Sequence, residues 1–154
     1  MIVNSAPFNQ PSPASEQAIM SSKSLPRVLY VDDEEDSREM VSTLLKFSRI
    51  ETMAVGTAAQ ALSLIQTERF DLYLLDGWLS DLDGFELCRR LRALDPHTPI
   101  LFYSGAAYDA DKQRGLEAGA NAYVIKPDVD GLLQSVAQFV LPVPSAATAL
   151  TFLH

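Results

Sequence analysis

At 154 residues the chain has room for one domain, and an apolar content of 47% supports a real core, which excludes an intrinsically disordered protein. The formal net charge is −8, and residues 27–140, with 11 Lys/Arg against 19 Asp/Glu, carry all of it. Such an acidic domain argues against nucleic acid as a direct partner and suits a cation or a basic protein surface. The single cysteine, Cys88, excludes an internal disulfide and fits a reducing cytoplasm. No apolar run is long enough to span a membrane, and no signal peptide is evident.

Residues 1–25 hold several prolines among Ser, Ala, Asn and Gln, without hydrophobic period, and read as a flexible tail; Met1 and Met20 both stand as candidate starts. Arg27 to Val31 is a short apolar run that reads as the first buried strand. It ends in five consecutive acids, Asp32 to Asp36, and Met40, Val41, Leu44 and Leu45 then recur at helical spacing, predicting a helix over 35–48. Acids in its first turn suit the helix dipole. Ile50 to Val55 reads as a second strand, and Thr57-Ala-Ala-Gln60 is a capping-box pattern opening a helix to about Thr67.

Residues 70–75 form the third predicted strand, delivering Asp76 to a turn at Gly77. Asp83 caps a helix that buries Leu87, Cys88, Leu91 and Leu94 and is closed by Pro96 and Pro99. Ile100 to Tyr103 is a fourth strand ending in Ser104-Gly105. A helix over 109–118 is expected to be interrupted by Gly115. Ala122 to Ile125 is a fifth strand ending in Lys126-Pro127, and Leu132, Leu133, Val136, Ala137 and Val140 mark a last helix. Residues 141–154 are a short tail. Strict strand–helix alternation predicts an α/β fold, a flavodoxin-like (βα)5 three-layer sandwich whose five-stranded parallel sheet has the order 2-1-3-4-5, over residues 26–140.

In a parallel sheet the strand ends share one edge, so Asp32, Asp33, Asp76, Ser104 and Lys126 converge. Clustered carboxylates repel unless a cation joins them, and hard oxygen donors select Mg²⁺, with Mn²⁺ or Ca²⁺ as substitutes. With such an ion bound, Asp76 becomes a usable nucleophile toward a phosphoryl group. Lys126 and the Ser104 hydroxyl suit the equatorial phosphoryl oxygens. Taken singly each of these residues has a plain structural reading: the acids as helix caps, Ser104 as a turn residue, Lys126 as a surface lysine. Cys88 reads as inert core, and neither His97 nor His154 reads as a phosphotransfer histidine.

Val31-Asp-Asp33, the Asp76 strand end, Asp83-Gly84, Ser104-Gly105, Glu117-Ala-Gly-Ala120 and Tyr123-x-x-Lys126-Pro127 together resemble the receiver domain of two-component response regulators. The resemblance implies a phosphoryl switch: transfer from a sensor histidine kinase or a histidine phosphotransfer protein to Asp76, with Mg²⁺ held by Asp32, Asp33, Asp76 and the backbone carbonyl of Trp78. It further implies that Ser104 and Tyr123 change position on phosphorylation, that Lys126 contacts the phosphoryl group ahead of a cis proline bond, and that helix four, strand five and helix five form the readout face, with homodimerisation through it as one use. Gly77-Trp78, Ser80 and Ala106 depart from the commonest pattern, which bears on the lifetime of the phosphorylated state. Only 14 residues follow Val140, so the expected output is a single-domain, cytoplasmic regulator acting on a downstream protein, with no nucleic acid or membrane contact. The alternative is a pseudo-receiver that docks without phosphorylation. Enzymatic readings are disfavoured, beyond self-phosphorylation and autodephosphorylation: a flavodoxin would meet five acids at its phosphate loop, and an aspartate-nucleophile phosphatase would need a carboxylate where Trp78 stands.

Overall fold

The computed structural model describes residues 24–141; the expected tails lie almost wholly outside them. Ten elements alternate: β1 (Arg27–Val31), α1 (Glu35–Phe47), β2 (Glu51–Val55), α2 (Ala58–Leu64), β3 (Leu72–Leu75), α3 (Gly84–Leu94), β4 (Ile100–Ser104), α4 (Asp109–Ala118), β5 (Ala122–Ile125) and α5 (Val129–Val140). All strand pairs are parallel, and the sheet order is β2-β1-β3-β4-β5. The predicted fold and order are therefore observed.

Strand alternation divides the core into two layers. Leu29, Val31, Tyr73, Leu75 and Phe102 face Leu87, Cys88 and Leu91 of α3. Val28, Tyr30, Leu72, Leu74, Leu101 and Tyr103 face Val41 and Leu45 of α1 and Leu132 and Val136 of α5. Every residue of β3 and β4 is buried, which is why both read as continuous apolar runs rather than alternating ones. Cys88 sits in the first layer, donates weakly to the Ala118 carbonyl at 3.5 Å, and has its thiol pushed up to about 11 by burial.

Local differences from the sequence reading have physical causes. β3 starts at Leu72, two residues later than the sequence reading; Asp71 leads into it, its N–H donating to the Arg27 carbonyl at 2.7 Å and its carboxylate accepting from the Arg27 N–H at 2.7 Å. The capping box at Thr57 is half made: the Thr57 hydroxyl accepts from Gln60 N–H, but the Gln60 side chain accepts from Gly56 N–H, one residue before the cap. α2 ends at Leu64, where the chain tightens into turns closed by Gln66 N–H to Ser63 and Thr67 N–H to Leu64, short of the Thr67 expected. Ser104 belongs to β4. Gly115 does not break α4, which runs unbroken from 109 to 118. A Cβ at Gly115 would lie 3.0 Å from Tyr123 and 3.2 Å from Phe102, so glycine is there to let the helix lie close on those rings.

Gly84 is the tightest backbone approach of the fold. A Cβ there would fall 2.1 Å from the Asp76 carbonyl oxygen and 2.8 Å from Gly77 Cα, and both contacts are main chain. The start of α3 is thus pressed against the end of β3, which explains a glycine directly after the Asp83 cap. Gly84→Ala should lower stability by about 1–3 kcal/mol in urea unfolding, because backbone rather than a flexible side chain must give way.

Candidate functional site

The strand ladder runs one residue past the ends of the strands. Asp76 N–H donates to the Val31 carbonyl at 3.0 Å, Asp32 N–H to Val55 at 3.1 Å, and Lys126 N–H to Ser104 at 2.9 Å. The candidate site residues Asp32, Asp76 and Lys126 are therefore fixed by the sheet itself, at its carboxyl edge. The Lys126-Pro127 bond is cis.

At that edge one carboxylate oxygen from each of Asp32, Asp33 and Asp76 lies within 4.8 Å of the others. Asp32 is fully buried, Asp76 nearly so, and Asp33 exposed. Lys126 Nζ bridges the two buried acids, 2.6 Å from Asp32 Oδ2 and 3.5 Å from Asp76 Oδ2. Asp32 Oδ2 also accepts from the Tyr30 hydroxyl at 2.6 Å, and Asp32 Oδ1 accepts from Glu34 N–H at 2.9 Å. Asp76 Oδ1 accepts a long bond from Trp78 N–H, 3.3 Å. The contrast is chemical: Asp32 accepts from three donors, whereas Asp76, with the longer arm of Lys126, the Trp78 N–H and the Ser104 hydroxyl beside it, keeps lone pairs free.

Burial raises the Asp76 carboxyl above its ordinary value, the Lys126 charge opposes the rise, and the Asp32 charge adds to it. For Lys126 burial pulls downward, but the Asp32 hydrogen bond and the charges of Asp76 and Asp32 outweigh it, and the ammonium is held above its ordinary value. The donor set is all oxygen, which suits Mg²⁺. Asp33, reaching the cluster from the exposed side, and Asp76, with unused lone pairs, are the residues best placed to ligate it directly.

Ser104 is fully buried, and its hydroxyl accepts from Ala106 N–H at 3.2 Å. Tyr123 donates its hydroxyl to the Ala106 carbonyl at 2.6 Å. Ala106 thus joins the two expected switch residues through its main chain; the polar function at position 106 is in the backbone, not in its side chain. Gly77 is explained by the same crowding, since a Cβ there would lie 3.1 Å from Ser104 Oγ and 3.2 Å from the Phe85 ring. Trp78 is 67% exposed and covers little of the site. The loop around Ser80, without proline, is held another way: the Asp81 carboxylate accepts from Ala58 N–H at 3.0 Å and Ala59 N–H at 3.1 Å, stapling the β3–α3 loop to the start of α2.

Several contributors escape the sequence reading. Tyr30 sits two residues before Asp32, on the same strand face, where a buried aromatic reads as packing. Asp81 has no local signature because its partners are 22 and 23 residues away. A stack of rings also emerges only in three dimensions: Phe85 on Phe102, centroids 5.0 Å apart, and Phe102 on Tyr123, 5.4 Å apart. Arg114 of α4 lies over Phe85 at 4.4 Å and pairs with Asp83.

The sequence pattern of the response regulator receiver domain matches residues 28–137. The chain belongs to that family. This receiver is 39% identical over 101 residues to the DNA-binding response regulator MtrA of Mycolicibacterium smegmatis, covering 66% of the chain and 44% of that protein. It is 36% identical over 121 residues to the transcriptional regulatory protein CreB of Escherichia coli, covering 71% of the chain and 53% of that protein. The chain thus spans about half the length of the curated relatives it matches. Among solved structures, the chemotaxis response regulator CheY4 of Vibrio cholerae superposes on the receiver with a TM-score of 0.70 at 29% identity, over 75% of this chain and 99% of that one. The Francisella response regulator 1452 receiver domain does so with a TM-score of 0.70 at 30% identity, over 74% and 95%. Among the described residues no helix is long and apolar enough to cross a membrane.

The raised Asp76 pKa fixes the sign of a stability effect. A group held above its unfolded value, 3.8 here, contributes stability that is full below that value and lost as pH rises through the folded one. At neutral pH the ionised Asp76 is therefore a cost to the metal-free fold. Asp76→Asn should raise the thermal unfolding midpoint of metal-free protein at pH 7 by about 2–5 °C, with the gain shrinking as pH falls toward 4.

Proposed function

We propose that this receiver accepts a phosphoryl group on Asp76 in a Mg²⁺-dependent reaction with a sensor histidine kinase or histidine phosphotransfer protein, and signals through a protein-binding surface that depends on the phosphorylation state. The observation that carries the reading is the placement of Lys126 Nζ between Asp32 Oδ2 at 2.6 Å and Asp76 Oδ2 at 3.5 Å, beside a three-carboxylate oxygen cluster. Asp76 is the less fully hydrogen-bonded of the two buried aspartates, which supports its reading as the phosphoacceptor.

In the proposed step an Asp76 carboxylate oxygen attacks phosphorus in line, the P–N bond to the donor imidazole breaks, and its electron pair stays on the departing nitrogen. A bound Mg²⁺, held by Asp33, Asp76 and the Trp78 carbonyl with Asp32 beside it, would supply positive charge to the equatorial phosphoryl oxygens. Lys126 leaves Asp32 for one of those oxygens, a short movement because it already lies close to Asp76. The Ser104 hydroxyl turns from Ala106 to donate to another. The Ala106 main chain, released from Ser104, no longer holds Tyr123 in the same way, and the change passes to α4 and β5. The face made by α4, β5 and α5 is the surface this mechanism alters, and the downstream partner or a second copy would meet it there. The described residues' acidity supports a protein rather than DNA as the direct contact of this domain.

Treating the purified chain with a small phosphodonor and following its intact mass tests this. A gain of one phosphoryl group with Mg²⁺, absent with chelator and absent in Asp76→Asn, is the expected result. If phosphohistidine donors also leave the mass unchanged, the phosphoacceptor reading falls and the docking-only alternative stands. Lys126→Ala should retain Mg²⁺ binding yet slow the transfer by roughly two orders of magnitude, the typical cost of losing one charge-stabilising donor.

A further inference from the structure

Both buried carboxylates at the sheet edge share one ammonium, and Asp32 has a second strong donor on the same oxygen. Tyr30 is fully buried on β1, in the layer facing α1 and α5, and its hydroxyl donates to Asp32 Oδ2 at 2.6 Å. That oxygen is the same one Lys126 Nζ holds at 2.6 Å. The other oxygen, Oδ1, is held by Glu34 N–H at 2.9 Å, and Arg38 anchors the Asp32 main chain by donating to its carbonyl at 2.8 Å. Tyr103, buried on the same face two strands away, lies under Lys126 with Nζ 5.7 Å from its ring centre.

We propose that Tyr30 is a positioning residue of the metal site: its hydroxyl holds the Asp32 carboxylate in place against the pull of Lys126, keeping Asp32 available to the bound cation and letting Lys126 depart without leaving Asp32 Oδ2 bare. The inference rests on the reading of Asp32, Asp33 and Asp76 as the Mg²⁺ site. Without the hydroxyl, Lys126 is the only strong donor on Oδ2. The carboxylate then follows the lysine, and a cation must compete for it. When Lys126 moves to a phosphoryl oxygen, a buried carboxylate oxygen would be left unpaired, which is costly. With the hydroxyl present neither problem arises. Outer hydrogen-bonding partners of ligand carboxylates commonly govern metal affinity in this way.

The test titrates Mg²⁺ into the full chain by isothermal titration calorimetry, with the fluorescence of Trp78, the only tryptophan and two residues past Asp76, as a second readout. Tyr30→Phe should weaken Mg²⁺ binding on the order of tenfold, and lower the metal-free unfolding midpoint by several degrees because a buried carboxylate loses one donor. Tyr103→Phe, which removes a hydroxyl from the same face but not from Asp32, should leave the affinity within about twofold of wild type. The decisive comparison is in a Lys126→Gln background, where nothing pulls Asp32 away: there Tyr30→Phe should change the Mg²⁺ affinity little. Should Tyr30→Phe not fold, Tyr30→Met removes the same hydroxyl and takes its place in both backgrounds. An unchanged affinity in Tyr30→Phe overturns the proposal. So does a loss that persists undiminished in the Lys126→Gln background, since that is the signature of packing alone. Failure of the wild type itself to respond to Mg²⁺, by calorimetry, fluorescence and thermal shift, overturns the metal site and this inference with it.

Discussion

The site depends on a shortage of positive charge. Two carboxylates are buried side by side at the end of a sheet, and among the described residues one ammonium, Lys126, forms ion pairs with them. Burying ionised groups is expensive unless they are paired and hydrogen-bonded. The fold resolves this unequally. Asp32 receives Lys126, Tyr30 and a backbone N–H, whereas Asp76 receives the longer arm of Lys126 and a long bond from Trp78. A carboxylate left under-satisfied is costly as it stands, and under the proposed function a cation or a phosphoryl group would relieve it by bringing its own partners. The reactivity proposed for Asp76 and the penalty it imposes on the metal-free fold are two views of the same imbalance.

The surroundings are built to keep that imbalance in place. Sheet hydrogen bonds continue through Asp32, Asp76 and Lys126, so none of the three sits on a free loop. Gly84 lets α3 press on the Asp76 carbonyl, Gly77 leaves room for Ser104 and Phe85, and Asp81 ties the following loop to α2. From there a stack of Phe85, Phe102 and Tyr123 leads across β4 to the edge strand, capped by Arg114.

Much of this is legible in the sequence because it is written locally. Buried strands of a parallel sheet are short apolar runs, and the residue after each run is the one at the carboxyl edge; Asp32, Asp76, Ser104 and Lys126 all follow from that rule. The misses are long-range or concern tertiary override. Gly115 carries a helix-breaking signal, but contact with Phe102 and Tyr123 outweighs it, and the helix runs through. Tyr30 looks like any core aromatic until its hydroxyl is seen on Asp32. Asp81 and Arg114 are ordinary surface charges in sequence, and their roles come from loops and helices that only the fold brings together.

The aromatic stack has no built-in direction. Its members touch by packing, and any coupling free energy between its two ends is the same in either direction. A protein that seats itself on the β5 edge and favours one placement of Tyr123 would, through Phe102, Phe85 and the Ala106 main chain, favour the matching placement of Ser104. Under the proposed function, thermodynamic reciprocity would make the partner's effect on the phosphorylated state equal to the phosphoryl group's effect on partner binding. A target of this domain would therefore act as an effector of it, shifting how readily Asp76 is charged as well as reporting that it has been.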